Sequence, residues 1–162
     1  MTKKPKIMLI GGIGAGKSSL AARINDNIEE VRKTQTLTYC DLTIDTPGEY
    51  LENPFMYKNI IAVAEEADWV VFVQSLDQIR CVYPPGMART FNRNTVGVVT
   101  KADGNLDNLP TILLNFKEMG LEEPFFITSV KTGQGIEELK KFLFEDKLKK
   151  RNNEYFKGGT RE

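Results

Sequence analysis

Residues 11–18 read Gly11-Gly12-Ile13-Gly14-Ala15-Gly16-Lys17-Ser18, the spacing G-x-x-x-x-G-K-[ST]. Each residue type answers a need of a bound polyphosphate. Glycines let backbone N–H groups turn inward around phosphate oxygens. A helix opening at Lys17 brings the positive end of its dipole. The Lys17 ammonium would bridge the β- and γ-phosphates, the Ser18 hydroxyl would bind Mg²⁺, and Ser19 completes the binding set. A second element, Asp45-Thr46-Pro47-Gly48, closes a strand candidate. A carboxylate there sits at the mouth of an open α/β sheet, where ligands bind. Asp45 would hold Mg²⁺ through water, and the Gly48 N–H would meet the γ-phosphate. A third, Thr100-Lys101-Ala102-Asp103, suits a purine. Asp103 can accept from both N1–H and N2–H of guanine; adenine lacks those donors and would leave a carboxylate unpaired. The Lys101 stem would pack along the base. The backbone of Ser129-Val130-Lys131 would touch the base from the last loop.

The rest of the composition removes competing chemistries. The 162 residues include no histidine, so a His general base, a Ser–His or Cys–His pair and a His-ligated metal are excluded. Lys plus Arg and Asp plus Glu number 22 each, without the basic excess that a nucleic-acid or acidic-membrane partner leaves. Cys40 and Cys81 match no zinc or redox spacing and read as reduced thiols of a cytosolic protein. The apolar run Ile7 to Ile10 is too short for a signal-peptide core, and no run is long enough for a membrane span.

Positioning these residues requires an alternating α/β chain. Ile7–Ile10, Trp69–Val73, Val96–Thr100 and Phe125–Thr128 are apolar blocks, the pattern of strands covered on both faces. Tyr39–Ile44 alternates and reads as one edge strand. Helices are expected over Lys17–Ile24, Phe55–Ala67, Leu109–Met119 (ending at Gly120) and Ile136–Leu148, with a short one after Pro85. The fold expected is a three-layer α/β P-loop NTPase over residues 1–148, followed by a polar tail over 149–162. About five parallel strands run in order 2-1-3-4-5. Only a loop and one strand fit between Asn25 and Asp45, so the edge strand of the usual hairpin is expected to be missing or vestigial.

The boxes, in this order and each after an expected strand, resemble those of small P-loop GTPases related to translation factors, which implies a Ras-like fold, Mg²⁺ and guanine nucleotides. The resemblance sharpens with Arg32-Lys33-Thr34-Gln35, with Glu49-Tyr50-Leu51-Glu52-Asn53 after Gly48, with Tyr83-Pro84-Pro85-Gly86-Met87, and with Gly97-Val98-Val99-Thr100-Lys101-Ala102-Asp103. From about Lys6 to about Phe144 the chain resembles the EutP/PduV family, accessory proteins of ethanolamine- and propanediol-utilisation systems in bacteria with microcompartments. That resemblance implies a cytoplasmic setting beside a microcompartment, a shell or enzyme partner, and Thr34 as the switch threonine sensing Mg²⁺ and the γ-phosphate. Thr36 and Thr38 are rivals that spacing does not separate.

Several positions depart from the GTPase pattern. Thr100 stands where Asn usually ties the phosphate loop to the base site, and Thr is shorter. The family's link to ATP keeps that nucleotide as an alternative to GTP and GDP. Glu49 stands where a water-orienting Gln is usual. Its carboxylate either acts as a general base or stands aside, because charge repels it from the γ-phosphate. Gly14 occupies the place of an Asn in potassium-activated relatives, so that activation is not expected. Arg80, Arg89 and Arg93 form a candidate partner patch around Pro-Pro-Gly. The family also raises phosphoryl transfer to acetate, although no segment is long enough for a lid, and a nucleotide-dependent targeting module.

Overall fold

The computed structural model describes residues 5–25, 38–39, 43–78, 80 and 83–144. Six strands form one sheet in the order β2-β3-β1-β4-β5-β6: β1 (Ile7–Ile10), β2 (Thr38–Tyr39), β3 (Thr43–Asp45), β4 (Trp69–Ser75), β5 (Asn94–Thr100) and β6 (Phe126–Ile127). Five of them are parallel. Set β2 aside and their order is the expected 2-1-3-4-5.

One expectation is corrected. Tyr39–Ile44 is not a single strand. β2 runs antiparallel to β3, with Thr38 opposite Asp45 and Tyr39 opposite Ile44. The edge hairpin is therefore present, but vestigial: its outer strand has two residues. Strands this short carry no readable alternation, which is why the pair looked like one strand.

The apolar blocks are continuous because each strand feeds two cores. Successive side chains point to opposite faces. Met8, Ile10, Val70 and Phe72 pack on one side with Ile60 and Ala64 of α3 (Tyr57–Ala64) and with Ile112 and Phe116 of α4 (Leu109–Glu118). Ile7, Leu9, Trp69 and Val71 pack on the other with Leu20 and Ile24 of α1 (Lys17–Ile24) and with Ile136, Leu139 and Leu143 of a helix, α5, that covers residues 136–144. Phe142 closes this second core, 5.2 Å from Trp69 and 4.9 Å from Phe126 between ring centroids. Burying one such large side chain contributes about 1.5–3 kcal/mol, so the central strands are the rigid frame for whatever their C-terminal ends carry.

The helix expected over Phe55–Ala67 begins two residues later. A single turn, α2 (Glu49–Glu52), is followed by a 3₁₀ turn over Pro54–Met56, and α3 starts at Tyr57. Asn53 caps that 3₁₀ turn by accepting from Phe55 N, and Pro54 occupies its first position. The Pro-Pro-Gly segment ends in the expected short helix, here a 3₁₀ turn over Met87–Thr90. It docks on the C-terminus of α4: Gly86 N donates to Glu118 O, and Ala88 N to Met119 O, both at 3.0 Å.

Candidate functional site

The phosphate loop joins β1 to α1 at the C-terminal edge of the sheet. Each of four loop carbonyls accepts from a side chain, three of them from outside the loop. Gly12 O accepts from Lys17 Nζ at 3.1 Å and Ile13 O from Gln78 Nε2 at 2.9 Å. Gly14 O accepts from Lys101 Nζ at 3.0 Å and Ala15 O from Thr100 Oγ1 at 2.5 Å. A trans peptide points each carbonyl away from the next N–H, so anchoring the Ile13 and Ala15 oxygens turns the Gly14 and Gly16 amides toward the loop's interior. Gly14 and Gly16 take left-handed φ values of +78° and +90°, which a side chain would strain. α1 begins on Gly16 with no side-chain cap, presenting the positive end of its dipole to the same concavity.

The acidic element comes to this loop from β3. Ser18 Oγ donates to Asp45 Oδ2, and Asp45 is buried. A hydroxyl and a carboxylate side by side are hard oxygen donors of the kind Mg²⁺ takes, usually only one or two from protein with the rest from phosphates and water. Thr46 Oγ1 donates to Leu9 O at 2.8 Å, stitching this segment to β1. Gly48 lies directly on the phosphate loop: a Cβ there would stand 2.5 Å from Ile13 N and 2.8 Å from Gly12 C.

The residues expected to read a base come together around one pocket. A pocket of about 520 Å³ is lined by Ser19, Thr100, Lys101, Asp103, Val130 and Lys131, among others. Asp103 Oδ1 accepts from the buried Ser129 Oγ at 2.7 Å. That hydrogen bond, then one from the Asp103 backbone and the charge of Lys131, hold this exposed carboxyl below the usual carboxylate range. Thr100, despite its length, does reach the loop.

Three contributors have no role that the sequence predicts, Tyr83 among them although it heads the segment Tyr83-Pro84-Pro85-Gly86-Met87. Gln78 and Asp77 follow β4, and Tyr83 precedes Pro-Pro-Gly. The Tyr83 hydroxyl lies 2.9 Å from Ile10 O and 2.7 Å from Val73 O, beneath the start of the loop. Asp77 lines the same pocket as Asp103 and Lys101. The only available signal was position, since ligands gather at the C-terminal ends of such strands.

Some expected residues fall wholly or in part outside the described residues. Thr34 and Thr36 lie outside the described residues, as does the tail 149–162. Thr38 stands in β2 opposite Asp45, and Glu49 opens α2; the side chains of both are outside the description. The arginine patch is partly engaged elsewhere. Arg93 pairs with Glu65 at 3.2 Å, and the Arg89 side chain lies across Gly120.

With this geometry in view, the comparisons become informative. The family model PduV-EutP, described as ethanolamine utilisation – propanediol utilisation, matches residues 4–145. A relative named "Propanediol utilization protein PduV" from Citrobacter freundii is 35% identical over 138 residues, covering 85% of this chain and 92% of the relative. Proteins named "Probable acetate kinase EutP" from Escherichia coli and Salmonella typhimurium are each 28% identical over 140 residues, covering 85% of this chain and 88% of theirs. Among solved structures, a bacterial selenocysteine-specific elongation factor, EF-Sec, superposes with a TM-score of 0.62 at 20% identity, over 92% of this chain and 28% of that one. A structure described as nucleolar GTP-binding protein 1 from Plasmodium falciparum gives 0.58 at 22% identity, over 96% and 92%. At these identities the structural likeness shows the fold: a P-loop GTPase-like α/β domain. Among the described residues no helix is long and apolar enough to cross a membrane.

Proposed function

The chain belongs to the PduV-EutP family of ethanolamine and propanediol utilisation, and from that premise we propose that it binds a nucleoside triphosphate with Mg²⁺, GTP in preference to ATP, and hydrolyses it slowly. The observation that carries this reading is the set of three consecutive loop carbonyls, Ile13 to Ala15, each anchored by a side chain from outside the loop. A loop so anchored is preorganised for anionic oxygens and need not reorganise on binding. Mg²⁺, held at Ser18 and Asp45, would neutralise charge on the phosphate oxygens. Lys17 holds the β- and γ-phosphates, and the Gly48 N–H steadies the γ-phosphate. Water attacks in line, forming an O–Pγ bond as the bond to the β-phosphate oxygen breaks, to leave GDP and inorganic phosphate. Glu49 makes this step slow, because a carboxylate beside the γ-phosphate is repelled where an amide would orient water. The setting proposed is the bacterial cytoplasm beside a microcompartment, with a shell or enzyme partner.

Asp103 is the testable centre of base selection. Calorimetry should show Mg²⁺-dependent binding of GTP and GDP, with ATP weaker; equal or tighter ATP binding overturns the base assignment. In Asp103→Asn the carboxamide presents an N–H where guanine also donates. GTP affinity is expected to fall about 10- to 100-fold, as when a charged hydrogen bond is lost. The xanthine nucleotide, with an acceptor at that edge, should gain. Unchanged selectivity removes Asp103 from the role.

The pH dependence follows from sign. The Asp103 pKa is lowered by the Ser129 hydrogen bond, so the recognising carboxylate persists above the ordinary carboxylate range and is lost only as pH falls through its depressed value. No histidine titrates above it. The ratio of GTP to ATP affinity, in which phosphate titration cancels, is therefore expected to stay flat from about pH 5.5 to 8. A change of more than about threefold across that range implicates another group.

The names of the Escherichia coli and Salmonella relatives favour a second reading, transfer of the γ-phosphoryl group of ATP to acetate. Incubating the protein with acetate and either nucleotide, and assaying acetyl phosphate, decides between them. Acetyl phosphate forming faster than free phosphate establishes the kinase.

A further inference from the structure

Lys101 is exposed, long and flexible, and it is asked to hold a carbonyl of the phosphate loop while forming a wall of the base pocket. A lysine side chain gives up more rotamer freedom when fixed than one surface hydrogen bond returns. A second anchor is present. Lys101 Nζ lies 3.3 Å from Asp77 Oδ2, and the other oxygen of Asp77 accepts from the Oγ of Ser75, which is fully buried at the end of β4. The loop carrying Asp77 is tied to the strand end carrying Lys101, since Leu76 N donates to Thr100 O at 3.0 Å. The Lys101 backbone is itself fixed in a left-handed conformation at φ +61°, a shape that aims its side chain back over the phosphate loop.

We propose that Asp77 is a positioning residue for nucleotide binding: through the chain Ser75–Asp77–Lys101–Gly14 it fixes the lysine that couples the base pocket to the phosphate loop. Asp77 itself lines that pocket, so a bound base shields the pair from water and strengthens it. The inference rests on the reading that this pocket takes the base of a guanine nucleotide, and it adds a residue that the GTPase-like boxes do not contain.

The test is a double-mutant cycle on the full chain, read as affinity for a fluorescent GDP, with Lys17→Ala as the no-binding reference. Asp77→Asn, which keeps shape and removes charge, is expected to weaken binding about two- to fivefold at low salt, the range of an exposed ion pair. The loss should shrink as salt rises. Asp77→Glu should recover part of it. In a Lys101→Ala background Asp77→Asn should have no further effect, because the group it acts through is gone. Melting temperatures within about a degree or two of wild type separate positioning from unfolding. An equal Asp77→Asn effect with and without Lys101, or no effect, overturns the proposal while leaving the nucleotide reading intact. Wild-type binding no better than Lys17→Ala overturns both.

Discussion

Lys17→Ala is expected to abolish nucleotide binding while the domain stays folded. Lys17 is only 7% exposed, and its ammonium sits 3.1 Å from Gly12 O inside the loop. The residue also opens α1, where alanine is an excellent helix former, so the backbone has no reason to rearrange. What disappears is the one mobile positive charge the loop aims at the phosphates. Removing one partner of a buried charge pair costs about 2–5 kcal/mol, or about 30- to 4,000-fold in affinity. Calorimetry against GDP and GTP, beside a thermal melt, checks it. Lys17→Arg should not rescue: the stem already passes Gly11 so closely that a Cβ there would lie 3.2 Å from Lys17 Cδ, and a planar guanidinium needs more room. Affinity in Lys17→Ala within threefold of wild type, below the about 1.4 kcal/mol of a tenfold change, would remove the phosphate loop from its role.

How much of this site could be read without coordinates depends on how local each signal is. Gly11 to Ser18 is legible because one turn supplies the amides, the lysine and the hydroxyl, all within eight residues. Asp45 and Asp103 are legible because one ends β3 and the other follows the end of β5, and strand ends of a parallel sheet share one edge. Thr100 was legible only in part. Its length argued against a tie to the loop, yet β5 brings its hydroxyl to 2.5 Å from Ala15 O, so a short side chain on a close strand does what a longer one does elsewhere. Gln78 and Asp77 were not legible. Gln78 meets Ile13 across 65 positions of sequence, through the pairing of β4 with β1, and neither residue type nor spacing announces it. The separation of β2 from β3 was not legible for the opposite reason: two- and three-residue strands contain too few residues to show a period.

Gly48→Ala should separate binding from turnover. The expected Cβ would stand 2.5 Å from Ile13 N, 2.7 Å from Ile13 Cα and 2.8 Å from Gly12 C. All three are backbone atoms of a loop whose carbonyls are tied at Gly12, Ile13, Gly14 and Ala15, so the loop has little freedom to retreat. Thr46, two residues before Gly48, is held to Leu9 O, so the acidic segment cannot swing away from its own root either. The strain falls on the stretch from Pro47 into α2, which must lift by about an ångström to restore ordinary van der Waals spacing. Gly48 itself is right-handed, at φ −59° and ψ −31°, so backbone preference does not oppose alanine; only the contact does. GDP, which needs the phosphate loop and the base pocket, should bind nearly as in wild type. Hydrolysis needs the Gly48 N–H in register with the γ-phosphate, and a displacement of that size can cost about 100-fold in rate. Overpacking should also lower stability by about 1–3 kcal/mol, a melting shift of about 2–4 °C for each kcal/mol in a chain of this length. Single-turnover phosphate release, GDP titration and a thermal melt on the same preparation distinguish the outcomes. Wild-type turnover with an unchanged melt would mean that Gly48 does not sit against the loop, and the Asp45–Gly48 segment would lose its part in the chemistry.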